Sequence, residues 1–206
     1  MSNIRAGLVL LDPDTFAVLP NGIVPLEYNP DTLTRTFKIK GAEEGGDRSE
    51  ALRLTGPPVE TFKFDAELDA SDLADQTRGI APQLAVLEML VYPASAALQN
   101  HDALAHQGTL EIMPIQAPLP IFVWSALRIV PVRLTDLSVT EEAFDDKLNP
   151  WRAKVGLTLR VLSIDDLFFS DRGGSLYMTY QRQKETLAQS VTGGSFGQLG
   201  ISGLPQ

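Results

Sequence analysis

The chain has 206 residues, of which 44% are hydrophobic, so it can bury one substantial core, and one domain with an extension fits this length better than two domains. Its formal net charge of −9 and pI of about 4.7 argue against nucleic acid and against anionic membrane surfaces as partners. It contains no cysteine, which excludes disulfides, thiol catalysis and zinc–thiolate sites.

The apolar runs of the chain are all short. None approaches the roughly 20 apolar residues of a membrane-spanning helix. The run near the N-terminus ends at Asp12-Pro13 and is too short for the core of a signal peptide. We therefore expect the protein to fold in the cytoplasm and to have no membrane partner.

Apolar runs and alternations predict β-strands in the first third of the chain, at residues 8–11, 16–19, 23–28, 33–40 and 61–68. The first two flank Asp12-Pro13-Asp14-Thr15, a sequence that favours a hairpin turn. Asn21-Gly22 predicts a second tight turn. Residues 41–50 are polar and glycine-rich without periodicity, which is typical of a loop.

One helix is predicted in the middle of the chain. Apolar residues recur at helical spacing from Ile80 to Val91, and Pro82 falls in the first turn, where proline is tolerated. We therefore expect a helix over residues 81–91, ended by Tyr92-Pro93.

Two histidines, His101 and His106, follow in a stretch that is predicted to be a loop, residues 100–108. They do not form a convincing metal pair, because a spacing of five places them on different faces of a helix and no third ligand cluster stands nearby. Strands are expected to follow at residues 109–115 and 121–124.

The longest β pattern lies between residues 118 and 163, where two extended runs are joined by an acidic connector. In the second run, apolar residues at every other position from Val155 to Val161 predict one buried and one exposed face. The first run changes phase after Leu134, which predicts a bulge or a bend, and Pro131 within it cannot pair on both sides.

The acidic connector, residues 141–150, carries four carboxylates, at Glu141, Glu142, Asp145 and Asp146. Their spacing matches no calcium-binding loop, and a solvated hairpin end explains them better than a catalytic carboxylate pair. The connector therefore predicts a turn at the end of a long hairpin.

The C-terminal part begins with a predicted break at residues 171–174. Ser175 is suited to cap a short helix over residues 175–190. The last residues, 191–206, are glycine-rich and uncharged, which is typical of a tail that orders only against a partner. We divide the chain into a β domain at residues 1–165 and a C-terminal extension at residues 166–206.

No enzyme motif is found in a context that supports catalysis. The patterns GxGxxG, the P-loop, HExxH and paired CxxC are absent. Residues 193–197 match GxSxG in letters, but they lie in the glycine-rich tail and neither histidine has a plausible acid in a matching context. We therefore expect a binding or structural protein without catalytic residues, cofactor or metal. A long hairpin that projects from a β core can add to a neighbouring subunit's sheet, and repeating that contact head to tail closes a ring.

Two other functions are consistent with the residues. One is a carbohydrate-binding or ligand-binding β-sandwich, with Trp124 or Trp151 as a stacking platform. The other is a metal-dependent enzyme that uses His101, His106 and the carboxylates of residues 141–146.

Five segments in this order resemble the tube-like adaptor proteins of contractile injection systems, which are phage-tail-like particles: residues 26–40, 54–72, 79–93, 118–125 and 148–163. The resemblance implies a mainly β fold of the tail-tube type, a β-barrel or sandwich with one flanking helix. It also implies a hexameric ring at the baseplate that joins the inner tube to the spike. Many members carry a LysM module, and nothing in the extension of this chain looks like one.

The resemblance also assigns partners and surfaces. Expected partners are sister copies in a homohexameric ring, the inner tube protein, the spike protein and other baseplate components; another tube or cap component of the same particle is the alternative. Ring closure is expected from the long hairpin, at Arg128, Val132, Leu134, Val139, Trp151, Lys154, Leu157 and Leu159. Contact with an adjacent layer is expected from the extension, at Leu176, Tyr177, Tyr180 and Phe196.

Overall fold

A computed structural model describes residues 4–41, 52–106 and 117–205 of the chain. These residues form strands β1 to β7, which in chain order are Gly7–Leu11, Val18–Pro25, Thr34–Lys38, Val59–Asp69, Leu119–Ser125, Arg128–Phe144 and Pro150–Val161. They also form helices α1 to α3, which are Ala81–Glu88, Ser95–His106 and Arg172–Gln189. Short 3-10 turns lie at Ala70–Asp72 and Phe196–Leu199.

The seven described strands form a single antiparallel sheet with the order β2-β1-β5-β6-β7-β4-β3. This confirms the predicted mainly β fold. The sheet is open, because β2 and β3 stand at its two edges and do not pair with each other in the described part of the chain. Of the two predicted arrangements, barrel or sandwich, the described strands therefore do not form a closed barrel.

Aromatic contacts across the core show that the sheet folds over on itself. Phe122 of β5 lies 5.3 Å from Phe62 and 5.4 Å from Phe64 of β4, measured between ring centroids. Since β6 and β7 lie between β5 and β4, a flat sheet would separate these strands by three strand spacings, about 14 Å. The two halves of the sheet therefore face each other across one core, as the layers of a sandwich do.

Strand β6 belongs to both halves. It pairs with β5 up to Pro131, opposite Ile121, and with β7 from Val132 onward. Pro131 has no backbone N–H, and it stands where β6 changes partners. A bulge follows at Thr135, whose hydroxyl donates a 3.1 Å hydrogen bond to the Thr158 carbonyl oxygen. The bulge predicted from the change of phase in β6 is thus confirmed.

The predicted alternation in β7 is also confirmed. Its inward side chains are all buried in the main core: Ala153, Val155, Leu157, Leu159 and Val161. Their neighbours on the same strand face outward, because successive side chains of a strand point to opposite faces.

The N-terminal hairpin differs from the prediction at one point. Asn21-Gly22 does not form a second turn; both residues lie inside β2, where residues 19–22 bulge out opposite Leu10 of β1. Asn21 has a positive φ of 55°, a conformation that asparagine tolerates in a bulge as well as in a turn. A turn sequence within a strand therefore marks a bulge here.

Helix α1 is found where predicted, with Leu84 and Leu87 buried, but it ends at Glu88. The loop predicted at residues 100–108 is wrong up to His106, because residues 95–106 form helix α2. This stretch contains four alanines, which favour a helix even where the apolar pattern is weak. The strand predicted at residues 109–115 and the loop at residues 42–50 lie outside the described residues, as does the side chain of His101.

Helix α3 is longer than predicted and begins earlier, at Arg172. The two glycines that suggest a break lie in its first turn and are buried. A Cβ on Gly174 would stand 2.2 Å from the Phe168 carbonyl oxygen, so glycine allows the helix to pack against the preceding turn. Tyr177 and Tyr180 of α3 join the main core, which places α3 firmly against the β sheet.

Candidate assembly surface

The outer edge of β6 is open over most of its length. Among the described residues, β6 pairs with β7 alone from Val132 to Phe144, a stretch of about 40 Å. The opposite edge of β7 is occupied by β4, with pairs from Thr61 to Asp69. The hairpin therefore does not project beyond the sheet. Within the described part of this hairpin, it is the β6 strand that offers unpaired backbone donors and acceptors to a second chain.

The open β6 edge carries mainly acidic and apolar side chains. Asp136, Glu141 and Glu142 are exposed, as is one basic residue, Arg133. Val139 and Phe144 are exposed by 37% and 50%. Further register shifts follow Glu141. Charges and bulges on an edge discourage indiscriminate strand pairing, so a partner must match both its shape and its negative charge.

The edge strand β3 has the opposite charge. It pairs with β4 alone among the described residues, which leaves its outer edge open. Arg35 and Lys38 lie on it, with Phe37 between them and 45% exposed. The Arg35 guanidinium carbon stands 5.0 Å from the centroid of the Phe37 ring. Because Arg35 pairs with Glu60 of its own chain, Lys38 is the basic side chain of β3 that can complement the acidic β6 edge.

The end of the β6–β7 hairpin is a turn held by side-chain hydrogen bonds. Asp145 accepts hydrogen bonds of 2.8 Å from the backbone N–H groups of Lys147 and Asn149, and Asn149 Nδ2 donates a third of 2.8 Å. These bonds, led by that of the Asn149 side chain, lower the pKa of Asp145. Leu148 at the tip has a positive φ of 63° and is 79% exposed. The predicted turn in the acidic connector is thus confirmed.

The base of this turn is tied to the start of α1. The backbone N–H of Ile80 donates a 2.8 Å hydrogen bond to the Pro150 carbonyl oxygen. Gly79 beside it has a positive φ of 56°, and a Cβ there would lie 2.0 Å from the same oxygen. The contact therefore requires glycine, and it holds the end of the long hairpin against the body of the molecule.

Of the residues predicted to close the ring, three belong to the core. Val132, Leu157 and Leu159 are at most 1% exposed, so their side chains cannot reach a neighbouring copy. Leu134 and Trp151 are partly buried against the same core. The apolar face of an alternating strand marks the core here, and the assignment of these buried side chains to an interface is corrected accordingly.

The other three predicted ring residues lie nearer the surface. Val139 and Lys154 are exposed, and Lys154 Nζ stands 3.2 Å from Asp65 Oδ2. The Arg128 guanidinium carbon lies 5.8 Å from the centroid of the Phe62 ring. Their part in an interface stays a prediction.

The residues predicted to contact an adjacent layer divide in the same way. Tyr177 and Tyr180 are buried, and Leu176 packs against the smaller cluster around Leu119. Only Phe196 stands open, with 48% of its surface exposed. The contacts of α3 are therefore made within its own chain, and the exposed part of the extension lies beyond the helix.

A buried charge network, which the sequence pattern does not predict, ties α3 to the sheet. Glu60 is 3% exposed and accepts hydrogen bonds from Arg35 Nη2 at 2.7 Å and from the Tyr180 hydroxyl at 2.9 Å. Lys184 Nζ lies 3.8 Å from its second oxygen. Burial, reinforced by Glu60, raises the pKa of Tyr180 to about 12. The sequence holds one sign of this network: Glu60 falls on the same face of β4 as the apolar residues that alternate after it.

The segment after α3, residues 190–205, is called the tail below. It contains no charged side chain. Its large apolar side chains are exposed: Val191, Phe196, Leu199, Ile201 and Leu204. Ser195 and Gln198 bond each other's backbone in a reciprocal cap, and Gly200 ends the turn with a φ of 71°. The tail is therefore an apolar segment with local order and few contacts to the body.

The structure also bears on the two other functions considered, a metal-dependent enzyme and a carbohydrate-binding or ligand-binding β-sandwich. In the described part of the chain, no group of three or more histidine and carboxylate side chains could hold a metal ion. His106 Nε2 lies 3.6 Å from Asp102 Oδ2, and both side chains are exposed. Trp124 and Trp151 are partly buried against the core, and Trp124 lies 6.0 Å from Phe122 between ring centroids. This packing does not favour a stacking platform for sugars.

Within the described residues, no helix is long and apolar enough to cross a membrane. A scan against protein-family models finds no match, and a search of curated proteins finds none either.

Two solved structures show a distant likeness. One is a chain in the tail of an empty gene transfer agent particle determined with helical refinement and C6 symmetry; it is 9% identical, with a TM-score of 0.30 over 76% of this chain and 90% of that chain. The other is a chain in the virion of a native gene transfer agent particle; it is 9% identical, with a TM-score of 0.27 over 76% of this chain and 91% of that chain. Both scores are too low to establish a shared fold.

Proposed function

We propose that this protein is a structural ring subunit of a phage-tail-like contractile injection particle. Within that class we propose the baseplate adaptor, a homohexamer that joins the inner tube to the spike. The observation that carries the proposal is the pair of open strand edges of opposite charge on one sheet, β6 with Asp136, Glu141 and Glu142, and β3 with Lys38.

Ring closure follows from the placement of these edges. Since β6 and β3 are different strands, pairing β6 of one copy with β3 of the next is a head-to-tail contact, and such contacts close into a ring when the rotation between copies allows it. The backbone hydrogen bonds supply affinity, while the charges set the register and exclude wrong partners. The chain then acts by forming a passage, without catalysis.

The hexameric number and the neighbours in the particle rest on the resemblance of the five sequence segments. It implies an inner tube on one side, a spike on the other and further baseplate components around the ring. Another tube or cap ring of the same particle is the second candidate. The two are distinguished by locating the protein's layer in images of the assembled particle.

The proposed contact is tested by charge reversal. Lys38→Glu on β3 and Glu141→Lys on β6 should each abolish rings in negative-stain images and mass photometry of assembled material, and the double variant should restore them. Lys63→Glu, an exposed lysine on the outer face of β4, is the matched control and should leave rings intact. Rings that survive both single reversals would contradict edge pairing, and sixfold particles are the expected class.

A further inference from the structure

The tail is exposed in a way that marks an interaction segment. Its five large apolar side chains lie between 42% and 75% exposed, in a stretch without charge, although 21% of the whole chain is charged. A contiguous set of exposed apolar side chains is unfavourable in water and is typical of a binding surface.

The tail is also partly ordered within its own chain, which differs from the expectation that it orders only against a partner. The Ser195 and Gln198 cap fixes the turn at Phe196–Leu199, and the backbone N–H of Ile201 donates a 3.2 Å hydrogen bond to the Phe196 carbonyl oxygen. These bonds fix the backbone of the turn that carries Phe196 and Leu199. A preformed turn loses less conformational freedom when it docks.

A groove of about 470 Å³ lies between β2, the 3-10 turn after β4, and α1. Its apolar lining includes Ile23, Val24, Leu73 and Val86, and Ile23 is 67% exposed. Strand β2 beside it is the other edge of the sheet and pairs with β1 alone among the described residues. The groove therefore combines apolar surface with an open strand edge.

Two buried acceptors in this groove lack partners. Oε1 of Glu27 and Oε1 of Gln83 are buried and accept no hydrogen bond in the described part of the chain. Buried acceptors gain from a donor, so an occupant with N–H groups fits. The charged side chains of the groove are Arg5, Glu27 and Asp72, so the groove keeps a net negative charge that disfavours acidic segments of this chain. The uncharged tail, which offers backbone and Gln198 N–H donors, is compatible with this charge.

We infer that the tail of one copy occupies the groove beside β2 of a second copy in an adjacent layer. On a single chain the two features are attached far apart: Lys184 of α3 contacts Glu60 near the start of β4, whereas Glu27 bonds the Asp69 backbone at its end, about 30 Å away. No tail residue lines the groove of its own chain.

Complementary patches at different places on one molecule make a head-to-tail contact. The inference deepens the proposed function, on which it rests, since stacked layers bring many tails and grooves together. The β2 groove is distinct from the β3 and β6 edges, so ring closure and layer contact use separate surfaces.

Cysteine cross-linking tests the inference, because the natural chain has no thiol. Full-length Ile23→Cys and Leu199→Cys chains are assembled together and treated with a short bis-maleimide. The heterodimer should form at least about fivefold more than with the matched pair of Ile39→Cys and Leu199→Cys, because docking raises the effective concentration of the two thiols. Ile39 is 71% exposed and lies away from the groove lining. Adding Phe196→Asp to the tail should remove the excess.

The outcomes distinguish the contact between tail and groove from ring assembly. A yield no higher than that of the Ile39→Cys pair overturns the inference, even where mass photometry of the same sample shows rings. Cross-linking within one chain of a dilute Ile23→Cys/Leu199→Cys double variant also overturns it, since the tail would then fill its own groove. A specific heterodimer in a sample without rings supports the tail contact and counts against ring assembly.

Discussion

The Tyr180 hydroxyl donates a 2.9 Å hydrogen bond to Oε1 of Glu60, which joins helix α3 to strand β4 across 120 positions of the sequence. Arg35 of β3 bonds the same oxygen and the Tyr180 hydroxyl oxygen. Three elements therefore meet at one buried carboxylate. The charge of Glu60 is tolerated in the core because each partner offsets part of the cost of removing it from water.

Tyr180→Phe tests this junction. The variant keeps the ring in the core but leaves Glu60 with one donor fewer, so we expect the free energy of unfolding to fall by about 1.5 to 3 kcal/mol, as for a hydrogen bond to a charged group. Urea denaturation followed by circular dichroism measures the change. Tyr92→Phe, at a residue that is 62% exposed, is the matched control and should cost less than about 0.5 kcal/mol. Equal costs would show that the hydroxyl of Tyr180 contributes nothing.

The fold could be predicted from the sequence where the signal is local. Apolar alternation locates β4 and β7 because the side-chain period of a strand is read directly from the chain, and the change of phase after Leu134 predicts the bulge at Thr135. The charge network of Glu60 could not be predicted, since its partners are distant in sequence. The role of Gly174 could not be predicted either. A glycine pair usually indicates a break in a helix, and only the close contact with Phe168 shows why glycine is needed inside α3.

The sequence does not show which surface would meet a partner, for a related reason. A long hairpin is visible in the sequence, but which edge stays open depends on β4, which covers β7 and leaves β6 free. Alternation separates buried from exposed positions without showing which exposed positions meet a partner. For this reason the sequence pattern alone does not distinguish the buried residues Val132, Leu157 and Leu159 from residues that meet a partner.

Glu27→Gln should change how stability depends on pH. Burial raises the pKa of Glu27 above its ordinary value of 4.5, more than the hydrogen bond from the Asp69 backbone lowers it, and Asp72 adds to the rise. Because the folded-state pKa is above the unfolded one, its contribution to stability is present at low pH and is lost as pH rises through the folded-state pKa.

We therefore expect the stability of Glu27→Gln relative to the natural protein to be greater at about pH 7 than at about pH 4, because deprotonation of the buried carboxyl costs the natural protein stability. Thermal melts at both pH values measure this difference. Glu67→Gln serves as the control, because it removes one carboxylate charge at an exposed position of β4. A difference between Glu27→Gln and the natural protein that is the same at both pH values would contradict the prediction.

Gly79→Ala should detach the hairpin end from α1. The residue has a φ of 56°, where any side chain is strained, and a Cβ would lie 2.0 Å from the Pro150 carbonyl oxygen. We expect a loss of at least about 2 kcal/mol in the free energy of unfolding, from strain and from the displaced hydrogen bond of Ile80. Hydrogen exchange should show faster exchange at Ile80. Gly203→Ala, at a site with nothing within 4 Å, is the control and should be close to neutral.

Phe122→Ala tests whether the sheet folds over on itself. Phe122 is fully buried and contacts Phe62 and Phe64 of β4 from the opposite layer, so its loss should leave a cavity between the layers and cost about 3 to 5 kcal/mol. Phe168→Ala, at a ring that is 78% exposed, is the matched control and should cost less than about 0.5 kcal/mol. Trp124 lies 6.0 Å from Phe122, so its fluorescence should report the cavity directly. In a sheet that stays flat, Phe122 would face water, and the two variants would cost the same.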